Sequence, residues 1–184
     1  MTDHRAEEVL RFWFDPTLDP KQRSRRWFTK DVAFDAEVRQ RFLPLYEEAA
    51  AGRLAVWRTE PRACLALVIV LDQFPRNMFR GSARAFAADA LAREAARELL
   101  PYAAALTAEE QLFAYLPFEH SESLDDQDLA CERMKEFDPE LLRYALRHRE
   151  VVRRFGRFPH RNAILGRAST AEELEFLKEP GSGF

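Results

Sequence analysis

Cysteine and glycine are scarce in this chain, strand-like alternation is missing, and neither sign of charge prevails. Its two cysteines, Cys64 and Cys131, stand far apart with no Cys-x-x-Cys pair, which excludes an all-cysteine zinc site and suits a reducing compartment. Cys64 reads as a small core residue. With only six glycines, there is no glycine-rich phosphate loop, and no Gly-x-Ser-x-Gly turn exposes a serine nucleophile. The longest apolar run, Ala63 to Leu71, is nine residues, far short of the ~20 that a membrane helix needs. A formal net charge of -3 exerts no global pull toward nucleic acid or an anionic membrane. The opening Met1 to Glu8 is charged and leads into no leader-like apolar stretch, so no secretory signal is expected. The protein is expected in the cytoplasm, with no membrane and no nucleic-acid partner.

What is present is enough for a core. The chain has 184 residues, 47% of them hydrophobic and 12% aromatic, which predicts a single globular domain over 1–184. Apolar residues recur at Ala6, Val9, Leu10 and Trp13, and again at Phe34, Val38, Phe42, Leu45 and Ala49. This three-to-four spacing is that of helices. Gly52 and Gly156 stand where helices close, and Pro61 where one opens. Asp31 marks a helix start, and Asp138-Pro139 opens the long helix that Gly156 ends. Thr107 with Glu110, and Ser169 with Glu172, have capping-box spacing. Asp15 to Lys30, with two prolines and a basic run, is expected to wrap the surface. The prediction is an all-α fold of seven to nine helices joined by short loops.

Three segments stand out against this helical background. Asp72-Gln73-Phe74-Pro75-Arg76-Asn77 and Arg154 to Asn162 echo each other, and Leu116-Pro117-Phe118-Glu119-His120-Ser121-Glu122 lies between them. In each, a Phe-Pro or Pro-Phe step is expected to end an apolar helix and is followed at once by ionisable or amide groups. Unpaired buried ions cost several kcal/mol each, so such groups occur paired with one another or at a working site.

Asp72 follows the nine-residue apolar run near a helix C-terminus, where burial and the helix dipole both disfavour a carboxylate. It needs a cation, with Arg76, Arg80 and Arg161 as candidates. It is either half of a structural ion pair or, if only partly compensated, a general base. His148 sits in the stripe Leu141, Ala145, His148, Val152, Phe155, and therefore faces inward. Alone it could be a satisfied core histidine; His120, between Glu119 and Glu122, and His160, beside Arg161, make a shared polar cluster the sharper reading.

Charge is segregated nearby. Glu119 to Glu140 holds nine acidic residues against Arg133 and Lys135, and Arg143 to Arg167 holds eight arginines against Glu150. The two blocks either neutralise each other or leave guanidinium groups to hold a small anion.

The cluster permits proton transfer by Asp72, Glu119, His120, His148 and His160, with Arg76, Asn77, Arg157, Arg161 and Asn162 binding an acidic substrate. That chemistry needs no cofactor. A divalent metal would have to draw each ligand from a separate element, since no His-x-x-x-His pair exists; no metal is expected.

Taken together, the run Leu71 to Gly81, then Ala85-Phe86-Ala87 and Asp89, Tyr115 to Glu122, Arg154 to Asn162, Leu165-Gly166-Arg167 and Ser169-Thr170 resemble the bacterial domain-of-unknown-function 924 family. Val9 to Phe14 and Pro180 to Phe184 extend the resemblance to essentially the whole chain. It implies an all-helical fold similar to tetratricopeptide-type superhelices and carries over no activity. The tetratricopeptide consensus is not visible at a 34-residue period. Two functions stay open: a small-molecule binder or acid–base enzyme acting on an acidic metabolite, and an interaction module whose charged clusters are structural. The closing Phe184 is expected to pack back near the basic segment.

Overall fold

The structure is a computed structural model that describes residues 3–137 and 139–183. Among these, all regular structure is helical, in four short 3-10 helices and nine α-helices: α1 His4–Trp13, α2 Pro20–Phe28, α3 Val32–Ala50, α4 Pro61–Met78, α5 Asp89–Leu99, α6 Ala108–Glu119, α7 Leu124–Met134, α8 Pro139–Phe155 and α9 Ala171–Phe176. The sequence expectation of seven to nine helices holds. No helix among the described residues is long and apolar enough to cross a membrane.

Contacts gather the chain into two compact units: residues 1–80 with 84–117, and residues 81–83 with 118–184. The first is built around α4, which packs against α1, α3 and α5. Every side chain from Ala63 to Pro75 is buried, which is why this stretch reads as a continuous apolar run and not as a stripe. Glu60 caps the helix by accepting from the amides of Arg62 and Ala63, and Pro61 fills the first position, where no amide hydrogen is needed. An aromatic layer covers α1. Trp13 meets Phe74 at 5.7 Å and Phe113 at 5.4 Å between ring centroids, both edge-on, while Trp27 donates from Nε1 to the Trp13 carbonyl at 2.9 Å.

In the second unit α7 packs on α8. Val151, Val152 and Phe158 form one buried cluster in it, with Phe155 and Phe176 against them.

Several boundaries follow the sequence signals. Gly52 and Gly156 take the left-handed conformation just past α3 and α8, Asp31 caps α3, and Thr107 and Glu110 exchange the two bonds of a capping box. Asp138, the expected start of α8, lies outside the described residues; the helix is described from Pro139.

Others need correction. Asp15 to Lys30 is not merely a surface wrap, because Pro20–Phe28 is helical, opened by a capping box between Asp19 and Gln22. The last helix is boxed by Thr170 and Glu173, one residue later than Ser169 and Glu172, since the Ser169 hydroxyl is engaged by the Asn162 amide at 3.0 Å. Neither Pro75 nor Pro117 ends its helix: α4 runs on to Met78 and α6 to Glu119. A proline removes one amide donor and crowds the carbonyl four residues back, which a helix with one turn or less still to run can absorb. In α3 the inward position after Phe42 is Tyr46, and Leu45 is only half-buried.

Candidate functional site

In the first unit Asp72, 1% exposed, is compensated by its neighbours on α4. Gln73 donates to its Oδ2 at 2.6 Å, and Arg76, one turn on, brings Nη1 to 3.2 Å from Oδ1. The same guanidinium donates to both carboxylate oxygens of Asp89, at 2.9 and 3.2 Å. Burial opposes the charge on Arg76, but Asp72 and Asp89 outweigh it and raise its pKa. Of the three cations considered for Asp72, Arg76 supplies this contact, and Arg80 turns instead to Asp35 with a two-pronged pair at 2.9 Å each. Asn77 donates to the same Asp35 at 2.7 Å. Asp72 is therefore one member of an ion group with Arg76 and Asp89.

The second unit carries the imidazoles. The Nδ1 atom of His148 on α8 lies 2.9 Å from the Tyr144 carbonyl oxygen and 3.2 Å from Oε1 of Glu119 at the end of α6. A carbonyl can only accept, so Nδ1 bears the hydrogen and the lone pair of the neutral ring is on Nε2. Burial first, then the charges of His120, Arg161 and His160, push its pKa down to about 3, against the upward pull of the Tyr144 carbonyl. The ring is neutral at ordinary pH. Phe158 links the group together: its ring meets His148 edge-on at 5.7 Å, lies 5.6 Å from the His160 ring, and has the Arg161 guanidinium over it at 4.5 Å. A cation over an aromatic face is favourable without neutralising the cation.

Two of the predicted substrate-binding residues in this unit are engaged, as Arg76 and Asn77 are in the first. Arg157 donates to both oxygens of Glu173, at 2.7 and 2.8 Å, and to the Ala168 carbonyl; this contact holds the Glu173 carboxyl down to about 2. Asn162, fully buried, donates to Ser169 and accepts from Nε of Arg167 at 3.0 Å, pinning the loop after Phe158. Glu119, His120, His148, His160 and Arg161 thus share one neighbourhood, and Arg157 and Asn162 brace the loop beside it. Among the described residues no group of three or more His, Cys, Asp or Glu side chains is arranged to hold a metal ion.

The chain matches, over residues 9–181, the bacterial proteins of unknown function grouped as domain-of-unknown-function 924. It belongs to this family. A solved structure of a protein of unknown function from Agrobacterium tumefaciens is 40% identical, covers 95% of this chain and 97% of its own, and superposes with a TM-score of 0.87. No curated protein matches. For this domain-of-unknown-function 924 protein, then, the likeness establishes the fold and leaves the chemistry to the residues.

Three braces escaped the sequence reading. Glu122 accepts the Phe158 amide at 2.8 Å and both guanidinium nitrogens of Arg167 at 2.7 and 2.9 Å, and although burial raises its pKa, these partners bring it below the usual carboxylate range. Asp89 completes the Arg76 group. Gln127 donates from Nε2 to the carbonyls of Glu119 and Ser121 at 2.7 Å each. In the sequence Glu122 stands out only as a neighbour of His120, and a buried glutamine in the acidic stretch Asp125 to Asp128 gives no signal of its own.

Proposed function

We propose that this protein binds a small acidic metabolite in its second unit and acts on it by proton transfer at the Glu119–His148 pair, the charge of the bound anion raising the imidazole pKa from about 3 toward the working range. The observation that carries the reading is a buried imidazole held by Nδ1 between a carboxylate and a carbonyl, a pairing that fixes its tautomer as an acid–base group requires. Arg161 and the histidines His120 and His160 supply positive or protonatable character for an anion. Asp72 with Arg76 and Asn77, and Arg157 with Asn162, are assigned to holding their own units in shape. Two free, buried cysteines fit a reducing, cytoplasmic setting.

A second reading, an interaction module similar to tetratricopeptide superhelices, is favoured by the ion pairs. Arg149 meets Asp128, Arg154 meets Glu172, Arg157 meets Glu173 and Arg167 meets Glu122, so much of the basic segment is used internally.

A thermal-shift screen of small carboxylates and phosphate esters separates the two. An acidic metabolite should raise the melting temperature of the wild type by several degrees and that of His120→Ala by less. If no acidic compound stabilises either protein, the metabolite reading is wrong.

A further inference from the structure

The turn that follows α6 has an unusual keeper. Gln127 sits in the first turn of α7 with its side chain wholly buried, and its amide nitrogen faces three carbonyls, those of Glu119 and Ser121 at 2.7 Å and of Phe118 at 3.5 Å. These oxygens stand at and just beyond the end of α6, where the helix has no amides of its own to offer them. The opposite end of the same amide is poorly served: Oε1 is buried and, among the described residues, has no hydrogen-bond partner. An acceptor left in that state weakens the fold. Mere stability is therefore a poor account of Gln127, and what its nitrogen holds is the better one.

It holds one of the two residues whose oxygens face the His148 Nδ1, the other being Tyr144. We infer that Gln127 is the positioning residue of the Glu119–His148 pair: its amide locks the backbone from Phe118 to Ser121 and thereby keeps the Glu119 carboxylate at the imidazole Nδ1. The inference rests on the reading of that pair as the working group. The geometry is short and connected. Glu119 contributes its carbonyl to Gln127 at 2.7 Å and its carboxylate to His148 at 3.2 Å, so the backbone of one residue is fixed by α7 while its side chain fixes a group on α8. Ser121 belongs to the same turn but is tied separately, donating from Oγ to Asp126 at 2.7 Å and accepting from the Ser123 amide at 3.2 Å. Loosening Ser121 should therefore soften the turn without releasing Glu119.

The test reads the His148 Nδ1 proton by NMR of the full-length protein with labelled histidine, assigned with His148→Gln. In the wild type this proton should resonate far downfield and exchange slowly. Gln127→Met keeps the volume and removes the donor; it should move the resonance upfield, speed its exchange at least tenfold, and reproduce what Glu119→Gln does, with the double variant adding nothing further. Ser121→Ala should lower the melting temperature and leave the resonance in place. Should Gln127→Met fail to fold, Gln127→Asn, which keeps the amide but withdraws it by one methylene, is read in the same way. A Gln127→Met resonance that superimposes on the wild type, or one that Ser121→Ala moves equally, overturns the inference. The reading needs no ligand, so a failed metabolite screen removes the proposed function and leaves the positioning role to be decided by this resonance.

Discussion

His148 shows how a single side chain can couple function to acid stability. With its pKa pushed down to about 3 in the folded protein against about 6.5 in an unfolded chain, the unfolded state takes up a proton that the folded state refuses. Stability from this group is complete above pH 6.5 and is lost as the pH falls toward 3, at up to about 1.4 kcal/mol per pH unit. Urea unfolding between pH 7 and pH 5, above the main carboxylate range, should therefore show the wild type losing stability faster than His148→Gln; equal slopes would mean that the imidazole is not held neutral. The inward register of His148 was legible, because its spacing within Leu141 to Phe155 is fixed by the helical repeat. Its partner was not. Glu119 approaches from a helix far away in sequence, and periodicity carries no information about which polar group will face which across a fold. The same holds for Asp89, which shares Arg76 with Asp72, and for Glu122, whose contacts with Phe158 and Arg167 exist only once the chain has turned back.

At the scale of the helix, capping chemistry and proline explain both what was read correctly and what was missed. Helix α2 has no apolar stripe for periodicity to detect, because its only aromatic residues, Trp27 and Phe28, are adjacent at its end, the rest is polar or basic apart from Pro20, and none of its residues is fully buried. Its real signature is local: Asp19 accepts from the Gln22 amide and Gln22 returns a bond to the Asp19 amide, both at 2.9 Å, with Pro20 at the first helical position. Its ring contacts come from Trp27 and Phe28 at the C-terminal end, so the first turn of α2 should depend on that cap. Asp19→Ala is expected to reduce stability by about 1 kcal/mol and to increase amide exchange selectively in Pro20–Phe28; uniform exchange across the chain would count against it. Pro75 and Pro117 misled in the opposite direction. Each marks a helix end only approximately, since a proline within the final turns removes one hydrogen bond while the remaining residues still close theirs, as the Phe79 amide does to the Pro75 carbonyl at 2.9 Å.

For the molecule as a whole, the segregation of acidic and basic blocks was plain in the sequence but its use was not. The two blocks meet in pairs between α7 and α8 and between the loop after α6 and Arg167, while Arg154 reaches outside the acidic block to Glu172 on α9, and most of these pairs involve solvent-exposed groups. Exposed pairs of this kind contribute little and are screened by salt. Raising sodium chloride from 0.05 to 1 M should accordingly shift the melting temperature by only a few degrees, and a fall of roughly ten degrees or more would show that the charge blocks, and not the cores, hold the fold. The all-helical class was readable because periodicity repeats in segment after segment; the division into two compact units was not, since no linker or change of composition marks Pro117. The closing Phe184 lies outside the described residues, but the chain just before it is anchored: Arg147 on α8 donates to the Gly181 carbonyl at 3.0 Å, and a side chain at Gly181 would come within 2.8 Å of that guanidinium.

Helix α4 is covered by α1 and α3, which precede it in the chain, and by α5, which follows. During synthesis it must leave the ribosome before its last cover exists. Until α5 has itself emerged, the nascent chain presents the apolar stretch Ala63 to Leu71 to its surroundings, the kind of segment that chaperones grip and that aggregates when they are scarce. The burial that gives the finished protein its centre thus makes the interval between the fourth helix and the fifth the most hazardous moment of its production.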